Sequence, residues 1–108
     1  MASRKVVLVT GGNNGIGYEA VKALLESEKP YHILLGSRSL EKGKIAVENL
    51  LKECPKTTNT VEVLQVDLTS DESIEKAYEQ VNASRGYIDA LINNAGIYFL
   101  HPKAFRID

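Results

Sequence analysis

Residues 6–17 read Val6-Val7-Leu8-Val9-Thr10-Gly11-Gly12-Asn13-Asn14-Gly15-Ile16-Gly17, an apolar, β-branched run that breaks into glycines and then into a helical pattern. The run has the length and composition of a buried strand. In the helix that follows, expected over about 15–28, Ile16, Ala20 and Leu24 recur at spacing four with Val21 and Leu25 beside them, and Pro30 ends it. Glycines at 11, 15 and 17 permit a tight turn, close approach of bare backbone to a ligand, and close packing of helix on sheet. A helix N-terminus adds unpaired N–H groups and a partial positive charge, so the surface suits a pyrophosphate. The candidate contacts in this turn are Gly11, Asn13, Asn14, Gly15, Ile16 and Gly17. A second register, Gly15-x-Gly17-x-x-Ala20, also fits the general dinucleotide pattern, but it begins inside the helix and not at the strand end.

The same alternation continues outward. Strands are expected over 5–10, 31–36, 61–66 and 87–93, all nearly continuously apolar, as strands covered on both faces are. A second helix over about 40–54 is expected to bury Ile45, Val47, Leu50 and Leu51 before Pro55 stops it. A third has a capping-box start at Thr69-x-x-Glu72 and an apolar stripe of Ile74, Ala77, Tyr78 and Val81. Repeated βαβ units with right-handed crossovers give an α/β, doubly wound parallel sheet of Rossmann type, strand order 3-2-1-4, as the N-terminal half of a larger domain. Helices one and two then share one face and helix three takes the other. The fourth strand, Ile88-Asp89-Ala90-Leu91-Ile92, is left as an unprotected apolar edge.

About twenty residues past the last glycine, an acid would bind the ribose of NAD. Here the residues are Ser37-Arg38. A hydroxyl and a guanidinium suit a 2′-phosphate that a carboxylate would repel, so NADP is favoured over NAD. At 108 residues the chain holds one domain, and 44% apolar with 25% charged residues is an ordinary soluble composition. A net charge of -1 without a basic stripe argues against nucleic acid as a partner. Cys54 is the one cysteine, which excludes an internal disulfide and fits a reducing, cytoplasmic setting and the role of a small apolar filler. The apolar stretch 6–9 is far too short for a signal core or a membrane span. His32 and His101 lack partners at metal-ligand spacing, so no metal site is expected.

Thr-Gly-x-x-x-Gly-Ile-Gly at 10–17 together with Asn93-Asn94-Ala95-Gly96 resembles the two signatures of the short-chain dehydrogenase/reductase family, and the wording around them is similar to its carbonyl-reductase-like members. The resemblance runs from Val6 to about Tyr98. It implies that Asp67, with Leu68, holds the adenine ring, and that Asn94, Ala95 and Gly96 lie beside the adenine ribose. It also implies hydride transfer between a nicotinamide dinucleotide and a small carbonyl or alcohol substrate, with a catalytic Ser, a Tyr-x-x-x-Lys helix and an Asn expected beyond Asp108. Residues 1–108 are thus read as the dinucleotide-binding part of one larger domain, with no catalytic residue of their own and no turnover. Tyr18-x-x-x-Lys22 has the catalytic spacing, but it follows the phosphate turn and is assigned to chance, with Lys22 solvated. A non-catalytic dinucleotide-binding or interaction module, short by design or by truncation, stays open as the alternative. Substrate identity and homo-oligomer formation also stay open.

Overall fold

The computed structural model describes residues 4–13, 15–67, 69–84 and 88–92. Along them strands and helices alternate as β1 (Lys5–Val9), α1 (Gly15–Glu26), β2 (Tyr31–Ser37), α2 (Leu40–Glu53), β3 (Thr60–Gln65), α3 (Asp71–Ser84) and β4 (Ala90–Ile92). The strands form one parallel sheet in the order β3-β2-β1-β4, as the βαβ pattern requires. The chain therefore reverses direction of winding at β1, where the glycine turn lies.

Side chains of a strand alternate between faces, and the apolar run of β1 supplies both. Val7 and Val9, with Ile33 and Leu35 of β2, pack under α1 and α2 through Val21, Leu25, Ala46, Leu50 and Cys54. Val6 and Leu8, with Leu34 and Leu64, pack under α3 through Ile74, Ala77 and Val81, joined by Ile88. Fully burying one such side chain contributes roughly 1.5–3 kcal/mol, so each layer is a substantial share of the folding free energy. The two-to-one distribution of helices over the faces is the expected one.

Several boundaries and contacts differ from the sequence reading. Thr10 belongs to the turn and not to β1, α1 ends at Glu26, two residues short of the expected end, and β2 runs on to Ser37. Ile16 is 77% exposed, so α1 packs through Gly17, Val21 and Leu25, with Ala20 and Leu24 partly buried. On α2, Ile45 and Leu51 are exposed, and the packed stripe is Gly43, Ala46 and Leu50, with Cys54 at the C-cap. The cause is close approach: a Cβ on Gly43 would stand 2.6 Å from Val63 Cγ1, so small residues occupy the contact and bulky ones are turned out. β3 is the outer strand, and it alternates between exposed and covered positions where continuous burial was expected. The cap is displaced by one residue and is not a box, because Ser70 Oγ, not Thr69, accepts the Ser73 N–H that opens α3, while Ser73 Oγ accepts from Asp67 N and the Ser70 N–H donates to Asp67 O.

At the other edge β4 pairs with β1 over Val7↔Ala90, Leu8↔Leu91 and Val9↔Ile92. Asp89 fastens it, with Oδ2 accepting from Val6 N at 2.7 Å while its own N–H donates to Val6 O at 2.8 Å. Ala90 and Ile92 are exposed, as expected for an apolar edge. Residues 87 and 93 of the expected fourth strand lie outside the described residues.

Candidate functional site

The C-terminal ends of β3, β2 and β1 stand side by side, and each delivers part of the sequence-derived site. At the end of β1 the chain turns through Gly11 and Gly15, both left-handed at φ of 63° and 59°, a conformation that costs any residue with a Cβ. The base of the turn is fastened on both sides. Thr10 N donates to Ile92 O of β4 at 3.0 Å, and Gly12 N donates to Gly36 O of β2 at 3.0 Å. Gly12 and Gly36 are required by proximity: a Cβ on Gly12 would lie 2.9 Å from Leu35 Cγ, and one on Gly36 would lie 3.1 Å from Val9 O.

What remains free to meet a ligand is the mouth of α1. A Cβ on Gly15 would meet nothing within 4 Å, so open space lies before the helix. Ile16 is exposed beside it, Gly17 is buried against the sheet, and Asn13 is half-buried. α1 has no acidic residue in its first turn, whereas α2 opens with Glu41 and α3 with Asp71 and Glu72. The positive end of the α1 dipole is thus the one left uncompensated by its own carboxylates. Asn14 lies outside the described residues.

β2 hands over to Ser37 and Arg38. Ser37 is buried, and its hydroxyl donates to Ser39 O at 2.8 Å, shaping the turn into α2, where Ser39 is the N-cap. Arg38 is exposed, and its carbonyl accepts from Gln65 Nε2 at 3.3 Å. Val66 N donates to Ser37 O at 2.9 Å, a last rung that sets Asp67 beside Arg38. The Asp67 carboxyl is held below its ordinary range, first by the hydrogen bond from the Thr69 hydroxyl, then by the Thr69 N–H, with the Arg38 charge adding to both. Leu68, Asn94, Ala95 and Gly96 lie outside the described residues, although Ile92 ends beside Thr10.

The opposite end of the sheet has the wrong sign for a phosphate. There α1 and α2 end at a cleft of about 460 Å³ lined by Glu26, Glu28 and Glu53 against Lys56. Helix C-termini and carboxylates together repel an anion.

Tyr18 and Lys22 both turn to Glu53 of α2. The Tyr18 hydroxyl donates to Glu53 Oε2 at 2.9 Å, and Lys22 Nζ stands 3.9 Å from the same oxygen, so Lys22 is an ion-pair partner and not simply solvated. Loss of solvent, then the bond to Glu53, pushes the tyrosine up to about 12, away from the range of an acid–base group working near neutrality. Burial likewise raises the Cys54 thiol, as befits a filler. His32 is buried and bonded to Thr60 Oγ1 at 2.6 Å and Glu62 Oε1 at 3.1 Å, a structural bridge between β2 and β3. Among the described residues no group of three or more His, Cys, Asp or Glu could hold a metal, and no helix is long and apolar enough to cross a membrane.

The sequence reading missed the buried Thr10, Gly12 and Gly36, which fasten the turn, and Ser73 and the exposed Thr69, which hold Asp67. Gly36 carried a signal, since a glycine within a strand marks close approach of another backbone.

Comparison with known proteins gives matches in both sequence and structure. The family model for short chain dehydrogenases matches residues 5–106. The short-chain dehydrogenase/reductase tropE of Talaromyces stipitatus is 43% identical over 97 residues, covering 90% of this chain and 36% of that protein. Among solved structures, the menthone neomenthol reductase of Mentha piperita superposes with a TM-score of 0.73 at 29% identity, covering 89% of this chain and 33% of the other. The L-sorbose reductase of Gluconobacter frateurii, solved with NADPH and L-sorbose, also gives 0.73 at 29% identity, over 88% of this chain and 34% of the other. The chain spans about a third of the length of the relatives it matches.

Proposed function

Since the chain belongs to the short-chain dehydrogenase family, we propose that it supplies the NADP(H)-binding portion of an oxidoreductase acting on a small carbonyl or alcohol substrate. Bound there, the dinucleotide supplies the hydride. The chain's own residues hold and orient it. The turn from Gly11 to Gly17, with Asn13 and Asn14, takes the pyrophosphate on backbone N–H groups, and Ile16 covers it on the apolar side. Arg38 pairs with the 2′-phosphate, and Ser37 sets the turn that presents it. Asp67 and Leu68 take the adenine, and Asn94, Ala95 and Gly96 lie along its ribose.

One observation carries this reading: the α1 mouth, open and free of its own carboxylates, stands at the same sheet end as the exposed Arg38 and the half-buried Asp67. That the Gluconobacter frateurii reductase was solved with NADPH supports the choice of dinucleotide. A guanidinium–phosphate bond contributes roughly 1.5–3 kcal/mol, which is tenfold or more in affinity. Arg38→Asp in the full protein therefore lowers the NADPH to NADH preference by at least about tenfold, through the lost bond and added repulsion. Titration of both dinucleotides checks this, and an unchanged ratio removes Arg38 from the phosphate site. A non-catalytic dinucleotide-binding module differs in one respect, namely that the full protein would bind NADPH without carbonyl-dependent oxidation.

A further inference from the structure

We propose that Thr69 is a positioning residue which orients Asp67 so that one carboxylate oxygen alone meets the base, making the site selective for a purine bearing a 6-amino group. The inference rests on the assignment of Asp67 to the adenine and goes beyond it to the residue that makes it discriminate.

Asp67 is built in from both its main chain and its side chain. Its N–H donates to Ser73 Oγ at 2.8 Å, and its carbonyl accepts from Ser70 N at 3.0 Å. Its Oδ1 accepts twice from Thr69, from the backbone N–H at 3.0 Å and from the hydroxyl at 2.6 Å. Among the described residues Oδ2 takes no hydrogen bond, so it is the oxygen available to a ligand. With the Thr69 bonds and the nearby Arg38 charge holding it ionised, the carboxylate is an acceptor and not a donor. An acceptor pairs with the 6-amino group of adenine and repels the 6-oxo group of hypoxanthine, the same donor-against-acceptor contrast that separates adenine from guanine at position 6. Without the hydroxyl, Oδ1 loses its shorter bond and the carboxylate can rotate to present either oxygen, or water, to either base.

The test compares NADPH with its reduced hypoxanthine analogue by fluorescence titration of the full protein and of three variants. The unaltered protein favours NADPH by roughly tenfold, the worth of one hydrogen bond to a charged group. Thr69→Val, which keeps the backbone N–H bond on an exposed residue, lowers that ratio at least threefold, and Thr69→Ser restores it. Asp67→Asn, whose amide can offer a donor, brings the ratio to unity or below. If Asp67→Asn collapses the ratio but Thr69→Val leaves it intact, or shifts only the melting temperature, Thr69 has no positioning role and the Asp67 assignment survives. If neither variant moves the ratio, the assignment of Asp67 to the base falls, and this inference falls with it.

Discussion

Gly15 and Gly43 are glycine for opposite reasons, and substitution separates them. At Gly15 the space is empty and the backbone is left-handed, so alanine meets no atom but must hold a conformation costing about 1–2 kcal/mol. At Gly43 the conflict is spatial, with Val63 Cγ1 at 2.6 Å and Ser37 Cβ at 3.2 Å from an added Cβ. Gly43→Ala is expected to lower stability by about 1–3 kcal/mol through overpacking. Val63→Ala should return part of that loss in the double variant, because it removes the atoms struck. Urea denaturation of the two single variants and the double variant measures the coupling; simple additivity would mean that α2 does not press on β3 through this pair. The contrast also explains what a sequence discloses. Gly11, Gly15 and Gly17 are legible because their spacing and the abrupt change from strand to helix state the reason locally. Gly36 and Gly43 answer to Val9, Thr10 and Val63, neighbours that only the fold brings near.

Among the elements, the order of strands and the faces of helices were legible because β-branched runs, Pro30, Pro55 and the helical stripes punctuate the chain. Details that depend on competition between neighbours were not. Thr69 and Ser70 are adjacent hydroxyls, either able to cap α3 by sequence, and the choice falls to Ser70 because Asp67 claims Thr69. Asn59 is a second case, invisible as a loop asparagine and yet the joint between three segments. Its Oδ1 accepts from Tyr31 N at 3.0 Å and Arg4 Nη1 at 3.2 Å, and its Nδ2 donates to Leu24 O at 2.8 Å and Ser27 O at 3.2 Å. The C-terminus of α1 is thereby locked to the start of β2. Asn59→Ala strips partners from three half-buried backbone groups, each worth up to about 1–3 kcal/mol when fully buried, so a loss of roughly 2–3 kcal/mol is expected. Because Asn59 lies at the N-terminal end of the sheet, away from the glycine turn, dinucleotide affinity should be nearly unchanged under folding conditions. Equilibrium unfolding together with an NADPH titration checks both halves, and a large affinity loss at full folding would show that the two ends of the sheet are coupled.

Across the molecule, the proposed function divides binding from chemistry. The described residues place glycine turn, guanidinium and carboxylate in one row along the C-terminal sheet end, but they place no proton donor there. The tyrosine with a lysine four residues on, Tyr18, is the sole local rival for that role by spacing, and its hydroxyl is spent on Glu53. Pushed up to about 12, it holds its proton where an acid–base group must exchange one near neutrality. Residues 1–108 produced alone are therefore expected to bind NADPH weakly and to show no carbonyl-dependent oxidation of it, whereas the function proposed above predicts tight binding and turnover for the full protein. Weak binding is expected because the chain spans about a third of the length of the relatives it matches, so that it supplies part of the surface those proteins have. Loss of NADPH absorbance is followed with mixed carbonyl substrates, for residues 1–108, for their Tyr18→Phe variant and for the full protein. Turnover by residues 1–108 that vanishes with Tyr18→Phe would make Tyr18 the donor and overturn the assignment of its spacing to chance. Turnover that persists in that variant would place the donor elsewhere among these residues, and would end the division of binding from chemistry altogether.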